Sequence, residues 1–227
     1  MTPEALIEQG RVRLLAADSG LGAAVADRRL KADDEILTPV ETIPKGVWEP
    51  SDDPHEGYLG FLVLGGLLTR EVVVAQSRSM ELIDSGDLLR PWQEDPSSYS
   101  TSRWEVLSEV RLAILGPEVA EQIAAYPELT AALVERAMYR TRNLALHWAI
   151  ANTVGLERRI MLLFRHLAER WGRVTTDGIA IRVRMTHQLI SDLVGARRPS
   201  VTTALSALAE TGELSREENG GWLIASK

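Results

Sequence analysis

The stretch 186-THQLISDLVGARRPSVTTALSALAETGEL-214 decides how this chain folds. Thr186 is suited to cap a short helix, because its hydroxyl can accept one of the unbonded N–H groups of a first turn. Leu189, Ile190, Leu193 and Val194 would bury one face of that helix. Gly195 supplies the backbone freedom that a sharp turn needs. Pro199 is well placed in the first turn of a second helix, where its missing N–H has no helical partner. Val201, Leu205 and Leu208 would bury one face of this second helix, leaving Arg198, Ser200, Thr202, Thr203 and Ser206 outward. A hairpin with a Gly-Gly tip is predicted over 214-LSREENGGWLIAS-226. A capped helix, a glycine turn, a second helix and a hairpin are the successive elements of a winged helix-turn-helix.

The residue types on the outward face fit contact with DNA. An arginine fork matches the O6 and N7 acceptors of guanine, which Arg197 or Arg198 could reach. Short hydroxyl side chains let a helix sit deep in the major groove and bond phosphates or base edges, a role open to Ser200, Thr202 and Thr203. The start of the first helix, at Thr186, His187 and Gln188, offers free N–H groups to phosphate. A plainer reading also exists, in which these residues coat a solvated helix.

Charge is distributed to match. The chain has 227 residues and a net charge of −7. From Gly155 onward there are eleven Lys/Arg against eight Asp/Glu, a balance of +3, which leaves −10 for the rest. The hydrophobic share of 45% and the charged share of 25% are those of an ordinary globular protein. There is no cysteine, which excludes disulfides, thiol nucleophiles, iron–sulfur clusters and Cys-based zinc sites. The N-terminal MTPEALIEQG lacks the basic-then-apolar pattern of a signal peptide, and 57-GYLGFLVLGGLLT-69 is short of the roughly 20 apolar residues of a membrane helix. A cytoplasmic protein with no membrane partner is expected.

Upstream, the pattern changes. Residues 36–115 hold short β-prone runs, 58-YLGFLVLG-65, 71-EVVVAQ-76 and 103-RWEVLSEVRLAIL-115, between turn clusters 84-DSGD-87 and 94-EDPSSYSTS-102. They predict an antiparallel sandwich or barrel. Pro117 and Pro127 mark two helix starts, and 127-PELTAALVERAMYRTRNLALHWAIAN-152 continues without internal Gly or Pro. About 25 residues at 1.5 Å each make a helix nearly 40 Å long, which could span two domains, pair with its own copy, or pack along its own sheet. Another helix is predicted at 156-LERRIMLLFRHLAERWG-172, then a turn and strand over 173-RVTTDGIAIRVRM-185. The first 35 residues carry no clear signal.

In this order of elements, and in 186–214 above all, the chain resembles the Crp/Fnr family of bacterial transcription regulators. The resemblance implies an α+β protein: an N-terminal antiparallel, cyclic-nucleotide-binding-like β-roll over 1–116, connecting and dimerisation helices over 117–154, and a winged helix-turn-helix DNA-binding domain over 155–227. It implies a homodimer on a near-palindromic operator in double-stranded DNA, with RNA polymerase and a small-molecule effector as further partners. Arg198 stands at the family's guanine-reading arginine and Ser200 at its hydroxyl, but Pro199 replaces an acidic residue and Thr203 a second arginine. A different operator is therefore expected. The wing tip at Glu217, Glu218, Asn219 and Gly220 carries two acids that would repel phosphate.

The sensor half departs further. Family members that bind cyclic AMP have a Gly-Glu pair after a Gly-Asp turn, where 86-GDLLRPW-92 offers Arg90 and Pro91. The second phosphate-binding pair falls near Ser100 and Thr101, before any arginine, and the adenine-facing hydroxyl positions fall on Leu144 and Ala145. Losing the cation and the ribose carboxylate removes the charged contacts, so cyclic AMP binding is not expected. Arg90 beside Trp92 could hold another anion, or could be a surface arginine on a half-buried indole. Four histidines, His55, His147, His166 and His187, show no metal spacing, and no G-x-S-x-G, Walker or G-x-G-x-x-G motif occurs. Neither catalysis nor a cofactor is expected, and 49-EPSDDPHE-56 reads as a solvated acidic loop. The competing function is a ligand-binding or protein-interaction module whose helix-turn-helix no longer binds DNA.

Overall fold

The computed structural model describes residues 7–8, 10–26, 35–51, 56–75, 77–93 and 99–226. His55, the Asp52–Asp53 pair of the acidic loop and residues 94–98 lie outside the described residues. The fold is mixed α+β. The chain divides into two compact units, Met1–Ser77 with Glu81–Arg142, and Arg78–Met80 with Asn143–Lys227.

The first unit is built on one sheet. Its strands are β1 (Ile7–Glu8), β2 (Arg11–Arg13), β3 (Leu37–Ile43), β4 (Gly46–Trp48), β5 (Gly60–Val74), β6 (Ser77–Asp84), β7 (Leu88–Leu89) and β8 (Ser100–Leu115). They run in the order β1-β2-β3-β8-β5-β6, with β4 also on β8 and β7 on β5. Short helices α1 (Leu14–Ala17) and α2 (Ser19–Ala24) precede β3, and α3 (Pro117–Ala124) and α4 (Pro127–Ala151) follow β8. The strands form two buried layers. Phe61, Val63, Leu68, Ile83, Trp104, Val106, Val110 and Leu112 make one core with Trp48 and Leu89. Leu62, Ala113 and Leu115 face the other way, against Leu14, Leu21, Ile36, Val119, Ile123, Leu129 and Leu133 of the helical layer.

The sequence runs 58–65 and 71–76 overlap one strand, β5, which covers Gly60–Val74. Gly65 and Gly66 do not turn the chain but bulge it: the β5–β8 register shifts between Val63 and Leu68. Gly66 has φ +95°, and a Cβ there would lie 2.1 Å from the Glu109 carbonyl oxygen, so no larger residue fits. The slip reverses strand parity. Phe61 and Val63 point into the first core before the bulge and even-numbered Leu68 after it, while β8 keeps Trp104, Val106, Val110 and Leu112 inside throughout.

Residues before 36, which carry no readable pattern, fasten the unit together. Asp18 caps α2 by accepting from the Leu21 N–H at 2.9 Å. The same carboxylate takes a two-pronged fork from Arg136 of α4, at 2.7 and 2.5 Å. One turn along α4, Arg140 forks onto Glu81 of β6 at 2.6 and 2.8 Å, and bonds the Leu88 carbonyl at 3.2 Å. Burial opposes the ionised form of Asp18, but the Arg136 fork and the Leu21 and Gly20 N–H groups outweigh it and hold its pKa below the usual 3.8.

The second unit contains the end of α4, then α5 (Leu156–Trp171), β9 (Gly172–Val174), β10 (Gly178–Ile181), α6 (His187–Val194), α7 (Arg198–Glu210), β11 (Leu214–Arg216) and β12 (Trp222–Ala225). Its four strands are ordered β11-β12-β10-β9. The span 173–185 differs from the turn-and-strand expectation: β9 and β10 form a hairpin closed by the Thr175 N–H on the Gly178 carbonyl at 2.8 Å, and 182–185 leave the sheet. The alternation of apolar and basic residues in that tail mimicked a strand. Trp222 packs its ring 5.1 Å from that of Phe164 and donates Nε1–H to the Met185 carbonyl at 3.3 Å, joining β12 to α5 and to the start of α6.

Two outcomes test this account of the first unit. Arg140→Ala, which leaves the Glu81 carboxylate buried without its fork, should destabilise the protein by about 3 kcal/mol in urea unfolding, whereas Arg142→Ala on the exposed face should change it by less than about 0.5 kcal/mol. Because the folded pKa of Asp18 is depressed, its contribution is full above 3.8 and fades as the pH falls through the folded value. Asp18→Asn should therefore flatten the acid limb of stability against pH below about 4.

Candidate nucleic-acid interface

The helix-turn-helix is held at each joint by a specific bond. Thr186 caps α6, its hydroxyl accepting from the Leu189 N–H at 3.1 Å. At the other end Gly195 takes φ 62° and ψ 42°, the left-handed conformation, and its N–H returns to the Ser191 carbonyl. Two more carbonyls of that last turn are bonded from other helices. His147 Nε2 donates to Leu193 O at 2.8 Å, and Arg159 Nη1 donates to Val194 O at 2.8 Å. His147 is thus a packing residue that carries its proton on Nε2. Leu189, Ile190, Leu193 and Val194 of α6 and Val201, Leu205 and Leu208 of α7 are all buried.

The outward face of α7 consists of Arg198, Ser200, Thr202, Thr203 and Ser206, with Arg197 at its N-cap, all exposed. Three of its four hydroxyls are bonded back to the helix: Thr202 to Arg198 O at 3.1 Å, Thr203 to Pro199 O at 3.2 Å and Ser206 to Thr202 O at 3.1 Å. His187 opens α6 and meets α7, its Nδ1 lying 3.0 Å from Thr202 Oγ1. Gln188, exposed beside it, donates to both carboxylate oxygens of Asp192 at 2.9 and 3.0 Å. His187 of α6 is thus brought against Thr202 and near Arg198 of α7, with Thr186, Gln188, Arg197, Ser200 and Thr203 exposed on the same two helix starts and α7 within one unit.

Arg216 was not singled out from the sequence. It stands on β11 directly opposite Trp222. Cross-strand partners share a face of the sheet, and the His187 ring lies 6.3 Å from the Trp222 ring, so Arg216 flanks His187 from the wing side. Burial lowers the pKa of His187, and the charges of Arg216 and Arg198 lower it further. No sequence signal marked this neighbour, because it depends on hairpin register. Arg184, likewise exposed, lies beside Gly220 at the wing tip. At the tip itself the Glu217 carboxylate accepts from Asn219 Nδ2 at 3.4 Å, and Glu218 is exposed.

The other pair singled out, Arg90 and Trp92, lies in the first unit. The Arg90 guanidinium is 5.9 Å from the Trp92 ring centroid. Trp92 is half-buried, with its ring edge-on to Phe61 at 4.9 Å and Tyr58 at 6.1 Å, so the indole is anchored in the roll core and the arginine lies over it from solvent. The Gly-Asp turn before it is tied to α4, Arg136 Nη1 reaching the Gly86 carbonyl at 3.3 Å. Among the described residues, no group of three or more His, Asp or Glu side chains is placed to hold a metal ion, and no helix is long and apolar enough to cross a membrane.

A family model for the Crp-like helix-turn-helix domain matches residues 150–225. Residues 150–225 are thus similar to a Crp-like helix-turn-helix domain. Solved structures extend the likeness in fold to most of the chain. A CooA mutant from Carboxydothermus hydrogenoformans superposes with a TM-score of 0.69 at 13% identity, over 91% of this chain and 91% of that one. A CRP/FNR-family transcriptional regulator from Thermus thermophilus gives 0.59 at 18% identity, over 82% and 93%. The c-di-GMP-responsive global regulator CLP of Xanthomonas campestris gives 0.62 at 15% identity, over 92% and 100%. No curated protein sequence matches at a significant level.

Gly195 has open space around its Cα, so the backbone alone resists substitution there. Gly195→Ala should cost about 1 kcal/mol of stability, and the β-branched Gly195→Val more. Thr186→Ala, removing the cap of α6, should cost about 1 kcal/mol. Urea unfolding followed by tryptophan fluorescence reads all three.

Proposed function

We propose that the chain is a homodimeric, sequence-specific DNA-binding transcription regulator whose N-terminal sensor domain does not bind cyclic AMP. The observation that carries this is the exposed face of α7, where Arg198 and four hydroxyl residues stand outward on a helix whose other face is fully packed. In a major groove Arg198 would read guanine, and Thr203, standing where the resembling family has an arginine, would leave that base pair to another contact. Thr186, His187 and Gln188 would bond phosphates, with Arg197 beside them. Residues 1–116 act as the sensor in this reading, 117–154 as connection and dimer contact, and 155–227 as the DNA-binding domain. RNA polymerase and a small-molecule effector are partners that such a cytoplasmic regulator would meet.

Two features support the details. Along α4, Ala131, Val134, Met138, Thr141, Ala145 and Trp148 are exposed at alternating three- and four-residue steps, with Val134 at 56%, Met138 at 57% and Trp148 at 70%. A seam of that period suits pairing with a second copy of the same helix. The turn at Gly86 and the Leu88 carbonyl are bonded to Arg136 and Arg140, so the segment corresponding to the family's phosphate loop is engaged with α4's own cations.

A double Arg197→Ala/Arg198→Ala variant should remain a folded dimer yet lose specific binding to a duplex selected from genomic fragments, by at least about a hundredfold for two lost arginine contacts. Unchanged specific affinity in a gel shift would sink the reading. Wild-type affinity should also fall steeply with salt, as released counterions require. Val134→Glu/Met138→Glu should shift the protein to monomer in analytical ultracentrifugation, since the seam would then bury four carboxylates per pair of helices.

A further inference from the structure

We propose that DNA binding by this chain takes up a proton at His187, at a phosphate contact completed by Arg198 and by Arg216 of the wing strand. The inference rests on the DNA-binding reading above and adds a residue and a chemical control to it.

The hydrogen-bond pattern around His187 determines where a proton can go. The Thr202 hydroxyl has one hydrogen, directed at the Arg198 carbonyl 3.1 Å away, as Thr203 and Ser206 direct theirs one turn back. Toward His187 it therefore presents a lone pair, and the 3.0 Å contact requires the hydrogen to sit on Nδ1. In the neutral ring Nε2 is then the unprotonated nitrogen, an acceptor with nothing to offer a phosphate oxygen. A proton added at Nε2 turns the same edge into a cationic donor without disturbing the Thr202 bond.

The surroundings keep the unbound ring neutral. The charged groups acting on it are both cations: Arg216 on β11 and Arg198 at the start of α7. From β12 it meets the indole of Trp222. On its own helix the nearest acid, Asp192, is held by Gln188. With burial, these cations place the pKa of the free ring below 6.5. A phosphate drawn in by Arg198 and Arg216 reverses the field at His187 and favours the protonated ring. A group whose pKa is higher in the complex than in the free protein makes binding tighten as the pH falls. Arg197, Arg198 and Arg216 stay charged throughout the range in which a histidine titrates.

The test measures dissociation constants between pH 8 and 5.5 at fixed ionic strength, using the tightest duplex that the full-length protein selects from a random-sequence library. Affinity should rise on acidification by up to about tenfold per pH unit. His187→Gln should give a flat profile at or below the wild-type affinity at pH 8, and His187→Arg a flat profile near the acid-side affinity of the wild type. Arg216→Ala should weaken binding at every pH and reduce the slope of affinity against salt by about one counterion. A flat wild-type profile, or an unchanged slope in His187→Gln, overturns proton uptake at His187 and leaves the DNA-binding reading standing. If no duplex is selected at any pH, that reading fails and the inference fails with it.

Discussion

A guanidinium cannot leave water without a carboxylate to meet it, and α4 carries two that do so. Arg136 and Arg140, one turn apart, insert into the roll beside Leu129 and Leu133 and settle which face of the helix is inside. The opposite face is settled by default. It carries Val134, Met138 and Trp148, apolar side chains that the chain's own fold leaves in solvent. The two forks thus anchor α4 on the β-roll and at the same time leave that apolar face outward. His147, farther along the inside face, continues the pattern by capping α6.

The C-terminal unit was legible because its information is local. A cap, a left-handed glycine, a first-turn proline and three-to-four apolar spacing lie within 29 consecutive residues, and each dictates its own neighbourhood. The long helix was legible for the same reason, having no breaker between Pro127 and Ala151. What stayed hidden depends on partners distant in sequence. Asp18 meets Arg136 across 118 positions and Glu81 meets Arg140 across 59, and nothing near either acid announces it. Arg216 reaches the neighbourhood of His187 only through the hairpin register that sets it opposite Trp222.

Two departures from the sequence pattern share one cause. The runs 58–65 and 71–76 stand apart in the sequence, yet β5 continues from Gly60 to Val74 through an irregular pairing at Gly65-Gly66. The tail 182-RVRM-185 looked like a strand because alternation is the strand signal, yet it is the approach to α6. Local pattern states what a segment could do alone; long-range pairing decides which option is used.

The bulge has a consequence for how this chain can change over time. Because the irregular pairing between Val63 and Leu68 reverses the parity of β5, the segment from Leu68 onward keeps its faces only while the count of residues from Val63 is maintained. Gain or loss of a single residue between Val63 and Leu68 would turn Leu68 away from Val106 and the core they share. A change of two residues would preserve the alternation. The roll should therefore tolerate length variation at this point only in even steps, unlike the surface loops, where the count of residues is free.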